Sequence, residues 1–155
     1  MPKRPAPSLM GRALRYLSRR EHSRQELRKK LLVYAETEDE VDELLIKLEK
    51  QSWLSDQRYA EGLARRKSDR YGSLKIIDEL KQQSVDAHTV SKIKEELKQS
   101  DLNRAWSLWD RKFSSAVASE PKERAKQMRY LVSKGFPLDV VSKVISGRYS
   151  PNQDL

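Results

Sequence analysis

Two stretches of this chain interleave cations with an aromatic ring in a way that suits anion recognition. The first runs Arg12-Ala-Leu-Arg15-Tyr16-Leu-Ser-Arg19-Arg20-Glu-His-Ser23-Arg24-Gln-Glu26-Leu-Arg28-Lys29-Lys30. The second is Arg65-Arg66-Lys67-Ser-Asp-Arg70-Tyr71-Gly72, with Lys75 close behind. A guanidinium fork grips two phosphate or carboxylate oxygens at once, and lysine adds a compact point charge. Arg65, Arg66, Lys67, Arg70, Tyr71 and Lys75 are therefore the first candidates for contacting a partner. Arg19, Arg20, Arg24, Arg28 and Lys29 are the second. A DNA backbone and an acidic protein surface would select similar residues, and solvated helix faces are the plain alternative for any charge run.

Catalytic chemistry finds no comparable footing. His22 and His88 are the only histidines and lie far apart, and there is no cysteine. No His/Asp/Glu group has the spacing of metal ligands. Neither a phosphate-cradling glycine loop nor a Gly-x-Ser-x-Gly elbow occurs. Paired carboxylates such as Glu95-Glu96 are ordinary on exposed helices. A non-enzyme without cofactor or metal is expected. The lack of cysteine is compatible with the cytoplasm, no apolar run approaches a membrane span, and the start has no apolar signal core.

The 155 residues carry a net charge of +9, unevenly placed. Residues 1–34 sum to +8, residues 35–43 to −6, residues 65–75 to +4 and residues 104–148 to +6. Basic stretches split by an acidic one suggest a polyanion as partner or neighbour. Hydrophobic content is 37% and mean hydropathy −0.85. Both values favour a thin assembly with a modest core per unit over one compact sphere.

The elements that must position these cations read almost entirely as helix, and they repeat. Leu31, Val41 and Leu44 recur as Leu80, Val90 and Ile93, then as Leu131, Val141 and Val144, at offsets of 49 and 51 residues. A period of that length implies three similar small units in a row. In the first unit, Leu14 and Leu17 mark a helix ending near Arg20. Ser23/Glu26 and Thr37/Glu40 read as capping boxes opening the next two helices. In the second unit, Ser55 or Asp56 caps a helix carrying Tyr59, Ala60, Leu63 and Ala64. Gly72 breaks the chain, Ile76 and Leu80 mark the next helix, and Asp86 caps a third with Val90, Ile93 and Leu97. The third unit begins near Asp101, with Ala105, Leu108 and Trp109 on a first helix. Residues 114–120 form a linker, Pro121 sits in a first helical turn, and Gly135 and Pro137 separate the last two helices. Trp53, Trp106 and Trp109 are candidates for the junctions between units.

The expected fold is thus all-α: a tandem array of three three-helix repeats, elongated and curved. The expected divisions are a flexible tail (1–8), repeats at 9–54, 55–100 and 101–148, and a C-terminal tail (149–155). Each aliphatic trio would close a private core, and neighbouring units would lean on one another.

Several segments resemble the bacterial RecX regulators. Leu48-Glu-Lys-Gln-Ser-Trp53-Leu54-Ser55-Asp56-Gln-Arg58-Tyr59-Ala60-Glu61 resembles that family's hallmark: an aromatic, Leu-(Ser/Asp)-Asp, then Arg-(Phe/Tyr)-Ala-Glu. Gly72-Ser-Leu-Lys-Ile76-Ile-Asp-Glu79-Leu80 is similar to its Gly-x-x-x-Ile-x-x-Glu-Leu helix. Ser23-Arg-Gln-Glu26-Leu27-Arg28-Lys-Lys30-Leu31 is similar to its Ser-x-x-Glu-Leu-x-x-Lys-Leu. Arg129-Tyr130-Leu131-Val-Ser-Lys-Gly135-Phe136 resembles its Arg-Phe-Leu-x-x-Arg-Gly-Phe/Tyr. Ser84 departs from the glycine usual at the end of the second repeat's middle helix.

The resemblance implies a non-enzymatic modulator, mainly an inhibitor, of the RecA recombinase in homologous recombination, DNA repair and the SOS response. The implied partner is the RecA filament on single-stranded DNA, with weak direct DNA binding as an adjunct. A monomer off the membrane is expected. Two other classes remain open from the residues alone. One is a stand-alone DNA-binding protein built from helix-turn-helix-like repeats, which the acidic, mixed and short third helices disfavour. The other is a helical scaffold for an unrelated acidic protein.

Overall fold

The computed structural model describes residues 5–151, so parts of the expected terminal tails, residues 1–4 and 152–155, lie outside the described residues. Among the described residues the chain forms eight helices and no strand. They are α1 (Leu9–Arg19), α2 (Arg24–Leu32), α3 (Glu38–Lys50), α4 (Asp56–Lys67), α5 (Ser73–Gln82), α6 (Ala87–Phe113), α7 (Pro121–Ser133) and α8 (Leu138–Ile145).

Short polar residues start the helices as their chemistry requires. The hydroxyls of Ser23, Thr37 and Ser55 accept from the amides of Glu26, Glu40 and Arg58, and the Asp86 carboxylate accepts from Thr89. Each satisfies an amide that has no partner within its helix. The return half of each expected capping box goes elsewhere. Glu26 forms a two-pronged bond with the Arg20 guanidinium at 3.0 and 2.8 Å. Glu40 accepts from the amide of Glu36.

Three separate cores result. Ala13, Leu27, Leu31, Val41, Leu45, Leu48 and Leu54 close the first, with half-buried Leu44 against it. Tyr59, Ala60, Leu63, Ile76, Leu80, Val90, Ile93 and Leu97 close the second. Trp109, Leu131, Phe136, Val141 and Val144 belong to the third. The aliphatic trios are therefore the private core of each unit. The chain exposes 10505 Å², against roughly 8100 Å² for a compact monomer of 18.1 kDa. That excess is the signature of units strung out in a row.

One expected helix break is absent. The third helix of the second unit and the first helix of the third are a single 27-residue helix, α6, running straight through residues 100 and 101. Asp101 does not start a helix here. It is 1% exposed, and its carboxylate accepts from the Ser73 amide at 3.1 Å and from the Ser73 hydroxyl. It thus caps α5, whose own N-cap residue, Gly72, has no side chain to offer. Arg104, one turn on, pairs with Asp101 at 2.5 Å. Arg104 also donates to the carbonyls of Ser68, Tyr71 and Leu97. Asp101, near which the third unit was expected to begin, is spent on capping another helix.

The tryptophans divide. Trp109 is buried and donates its indole N–H to Gln127, whose amide in turn donates to the Ala116 carbonyl in the linker. Trp106 is half-buried against the same core. Trp53 stands 49% exposed. None is the main seal between units.

The second and third units share the continuous α6, and at both joints the ends of the middle helices, α2, α5 and α7, also meet. At the second joint, the Gly72 amide donates to the Lys134 carbonyl at 2.8 Å, and the Leu74 amide to the Gly135 carbonyl at 2.9 Å. At the first, the Ser23 hydroxyl donates to the Gln83 side chain at 2.7 Å, and Ser84 and Gln25 bond through their side chains. The pairing is the same by position. The N-cap residue of one middle helix meets the C-cap residue of the next, and the second helical residue meets the left-handed residue just beyond. Ser84 has φ +56° and Gly135 φ +99°, so the serine takes up the same left-handed stop as the glycine. What differs is the distance of approach. A Cβ on Gly72 would collide with the Gly135 carbonyl, and one on Gly135 would lie 2.5 Å from the Lys75 Cβ. Two glycines let the backbones bond directly, whereas two serines hold them a side chain apart.

Candidate anion-binding surface

The basic residues of α2 face the acidic residues of α3. Arg28 pairs with Asp42 at 2.8 Å and with Glu38 at 3.6 Å, and Arg24 pairs with Glu49 at 2.8 Å. The hydrogen-bonded Arg28 guanidinium holds the Asp42 carboxyl below its usual range. The −6 stretch thus answers the +8 stretch at one point, where Asp42 and Glu38 both meet Arg28. Of the second group of candidates, Arg20, Arg24 and Arg28 are engaged by the protein's own carboxylates. Such half-exposed pairs exchange readily and contribute little to stability. Arg19 and Lys29 are exposed, with no carboxylate in ion-pair range among the described residues.

The first group sits differently. Arg65, Arg66, Arg70 and Lys75 are exposed, and no carboxylate lies in ion-pair range of them among the described residues. Lys67 alone is paired, with Glu79 at 2.6 Å. α4, the loop after it and the start of α5 carry these cations to two places. Arg65 and Arg66 join Arg20 around a cleft of about 260 Å³ between the first and second units, with Tyr59 and Gly62 also lining it. That cleft brings together members of both candidate groups. Burial pushes the Tyr59 hydroxyl above its usual range, with Glu26 and Glu79 adding to the effect.

The second place is the Tyr71 ring, at the joint between the second and third units. Lys75 Nζ lies 4.5 Å from its centre, Lys67 Nζ 5.9 Å and Arg70 Cζ 5.9 Å. A fourth cation, Lys134, comes from the end of α7 at 5.7 Å. Lys134 is also 5.5 Å from the centre of the Tyr130 ring, and Lys112 is 5.6 Å from it. Sequence reasoning missed Lys112, Tyr130 and Lys134. Tyr130 and Lys134 belong to the Arg-Tyr-Leu-x-x-Lys-Gly segment of α7, but only the joint brings that segment against Tyr71.

His22 is buried beside the first cleft. Its Nδ1–H donates to the Arg20 carbonyl and its Nε2 accepts from the Lys30 ammonium, both at 3.1 Å. That arrangement needs the neutral ring. Burial pushes its pKa below the usual 6.5, and Arg20 and Lys30 push the same way. Among the described residues no three His, Asp or Glu side chains are placed to hold a metal ion, and no helix is long and apolar enough to cross a membrane.

Comparison with known proteins gives three matches to family models in chain order. Residues 10–48 match the first three-helix domain of RecX, residues 55–92 the second and residues 99–145 the third. A regulatory protein RecX from Ralstonia pickettii is 45% identical over 147 residues, covering 95% of this chain and 91% of that protein. One from Neisseria meningitidis is 36% identical over 149 residues, covering 96% of each. The crystal structure of RecX from Lactobacillus salivarius superimposes with a TM-score of 0.76 at 23% identity, over 89% of this chain and 92% of that one. With three domains matched in order and such identity across nearly its whole length, this chain belongs to the RecX family of regulatory proteins.

Proposed function

We propose that this chain is a non-enzymatic regulator, mainly an inhibitor, of the RecA recombinase. It acts in the cytoplasm on the RecA filament assembled on single-stranded DNA and lowers its ATP hydrolysis, strand exchange and co-protease activity. Membership of a family of regulatory proteins supports a regulatory role, and the strung-out array supports an extended partner. The observation that carries the reading is the contrast in pairing. The first unit pairs Arg20, Arg24 and Arg28 with its own carboxylates, while Arg65, Arg66, Arg70 and Lys75 of the second stay exposed with no ion-pair partner among the described residues. Three linked units give each weak contact the effective concentration of its neighbours. Preference for one filament state would shift that equilibrium by the difference in affinity alone.

The test is RecA ATPase activity on single-stranded DNA, with this protein added before or after filament assembly. Inhibition is expected, and Arg66→Glu/Arg70→Glu should abolish it. Inhibition only on early addition indicates capping of growing filament ends. Inhibition in both orders indicates lodging along the filament. No effect of the wild-type chain in either order refutes the function, and full inhibition by the folded double variant refutes the residue assignment. α3 is rich in acids, and Glu38, Asp42 and Glu49 on it pair with α2, which counts against duplex groove reading by the first unit.

A further inference from the structure

We propose that the second unit carries a docking groove, between α5 and α6, for a non-helical segment of a partner protein in which an apolar side chain is flanked by carboxylates. The inference goes beyond the RecA reading and does not depend on it. The three units match position by position. α3, α6 and α8 begin at Glu38, Ala87 and Leu138, so the offsets of 49 and 51 residues hold for the helix starts as well as for the aliphatic trios. In a repeat array the shared positions build the cores, and the positions that differ are free to serve partners.

The groove between the last two helices of a unit differs among the three. In the first unit an ion pair spans it. Arg28 reaches from α2 to Asp42 and Glu38 on α3, at 2.8 and 3.6 Å. The matching residues of the second unit are Ile77, Ser91 and Ala87. With no such pair, a cleft of about 370 Å³ lies open between α5 and α6. A smaller one of about 160 Å³ adjoins it, and Ile77, Lys81 and Lys94 line both.

The third unit shows what such a groove accepts. Its cleft, of about 350 Å³, is lined by Met128, Ser142 and Ile145, at the places of Ile77, Ser91 and Lys94. Val117 and Ala118, from the irregular linker between α6 and α7, line the same cleft. The linker is held there. The Gln127 amide donates to the Ala116 carbonyl at 2.9 Å, and Val117 abuts Gly147, where an added Cβ would lie 2.5 Å from a valine methyl. The loop at the corresponding place in the second unit, residues 68–72, is spent on the joint instead, with the Gly72 amide on the Lys134 carbonyl. The groove of the second unit therefore has no strap of its own.

Floor and walls define the occupant. Ile77, Val85 and Val90 are each 7% exposed or less, while Leu74, at the smaller cleft, is 52% exposed. The counterparts of Leu74 in the other units are Gln25 and Ala125. An aliphatic floor with an exposed leucine at one end takes an apolar side chain. Lys81 and Lys94 stand where the third unit has Val132 and Ile145. Both lysines are exposed, and no carboxylate lies in ion-pair range of them among the described residues. One ammonium from each helix selects carboxylates beside the apolar anchor and repels a basic segment. The floor has no aromatic face on which a nucleic-acid base would stack.

The test is NMR of the isotope-labelled full chain titrated with the capped peptide Glu-Ala-Val-Ala-Glu, an acidic version of the linker. The amide signals of Ile77, Lys81, Ser91 and Lys94 should move and saturate. Glu-Ala-Ser-Ala-Glu, without the apolar anchor, and Lys-Ala-Val-Ala-Lys should each bind at least about tenfold more weakly. Lys81→Glu/Lys94→Glu should reverse the order of the acidic and basic valine peptides. Ser91→Tyr, which fills the cleft from an exposed position, should weaken binding of the valine peptide at least about tenfold. Circular dichroism checks that both variants are folded. Absence of binding by the wild type overturns the proposal, as do equal affinity for the three peptides and wild-type behaviour in both variants. Groove signals that move with protein concentration alone would give the groove to a second copy of this chain. Larger shifts of the same signals with oligothymidylate would give it to nucleic acid. Either result also overturns the proposal.

Discussion

Replacing Asp101 by asparagine should cost this protein a large part of its stability while changing almost nothing in shape. Asp101 is 1% exposed, and the side chain of its partner Arg104 is 14% exposed. Asparagine keeps an oxygen for the Ser73 amide and can turn its NH2 towards the Ser73 hydroxyl, so the hydrogen bonds survive. The charge does not, and the Arg104 guanidinium is left in the joint without a counter-ion. Breaking a buried pair in this way costs about 3–5 kcal/mol, and the retained bonds put this change near the lower end, about 3 kcal/mol. Asp101→Leu strands the Ser73 amide as well, adding about 1–3 kcal/mol. Against the roughly 5–15 kcal/mol that holds a typical domain folded, either loss is large. Urea unfolding followed by tryptophan fluorescence measures it, since Trp109 is buried in the third core and urea leaves electrostatics unscreened. Arg104→Met in the Asp101→Leu background should restore only part of the loss, because the carbonyls of Ser68 and Tyr71 also depend on that guanidinium. An Asp101→Asn variant within about 1 kcal/mol of wild type would refute the idea that this pair locks the second unit to the third.

Other outcomes follow from the same geometry. Gly72→Ala should cost more than about 2 kcal/mol in urea unfolding, because its methyl would displace the Gly135 carbonyl and break both backbone bonds of the joint; a change under about 0.5 kcal/mol would show that the joint yields freely. The pKa of His22 is lower in the folded state than in the unfolded one, so the unfolded chain takes up the proton first as pH falls. The stability of the neutral ring is fully present above about pH 6.5 and lost as pH falls through the folded value. His22→Gln should therefore flatten the melting temperature between pH 7 and pH 5, and parallel profiles for the two proteins would exclude the role. Asp42→Asn/Glu49→Gln frees Arg24 from α3 and leaves Arg28 only its longer contact with Glu38. It should raise affinity for oligothymidylate, and unchanged binding by anisotropy would mean that those arginines point away from the strand.

How far the sequence could be read depended on how local the physics was. The aliphatic trios were legible because a helix places i, i+3 and i+4 on one face, and the same spacing three times fixes three cores. Caps at Ser23, Thr37, Ser55 and Asp86 were legible because the oxygen and the amide it serves are three residues apart. The capping role of Asp101 was not legible, for the opposite reason. Its type and its place after Ser100 match a helix start, yet its carboxylate serves Ser73, 28 residues away. The charge runs were visible, but not that the acids of α3 answer the arginines of α2. The cluster at Tyr71 needed Lys134 and Lys112, which only the joint between units brings near. Ser84 shows that a left-handed stop can be kept by a non-glycine, which residue type alone argued against.

The end-to-end meeting of α7, α5 and α2 gives the array a direction. The C-terminal end of α7 meets the N-terminal end of α5, and the C-terminal end of α5 meets the N-terminal end of α2. At each joint the positive dipole end of one middle helix therefore meets the negative dipole end of another, linking the three head to tail as a column of contacts. Each internal helix end finds its partner in the next unit, leaving only the N-terminal end of α7 and the C-terminal end of α2 outside the two joints. Such a column could be lengthened or shortened by whole units without redesigning any core. The requirement is local: a left-handed residue just beyond each middle helix, and a small residue where the adjoining one starts.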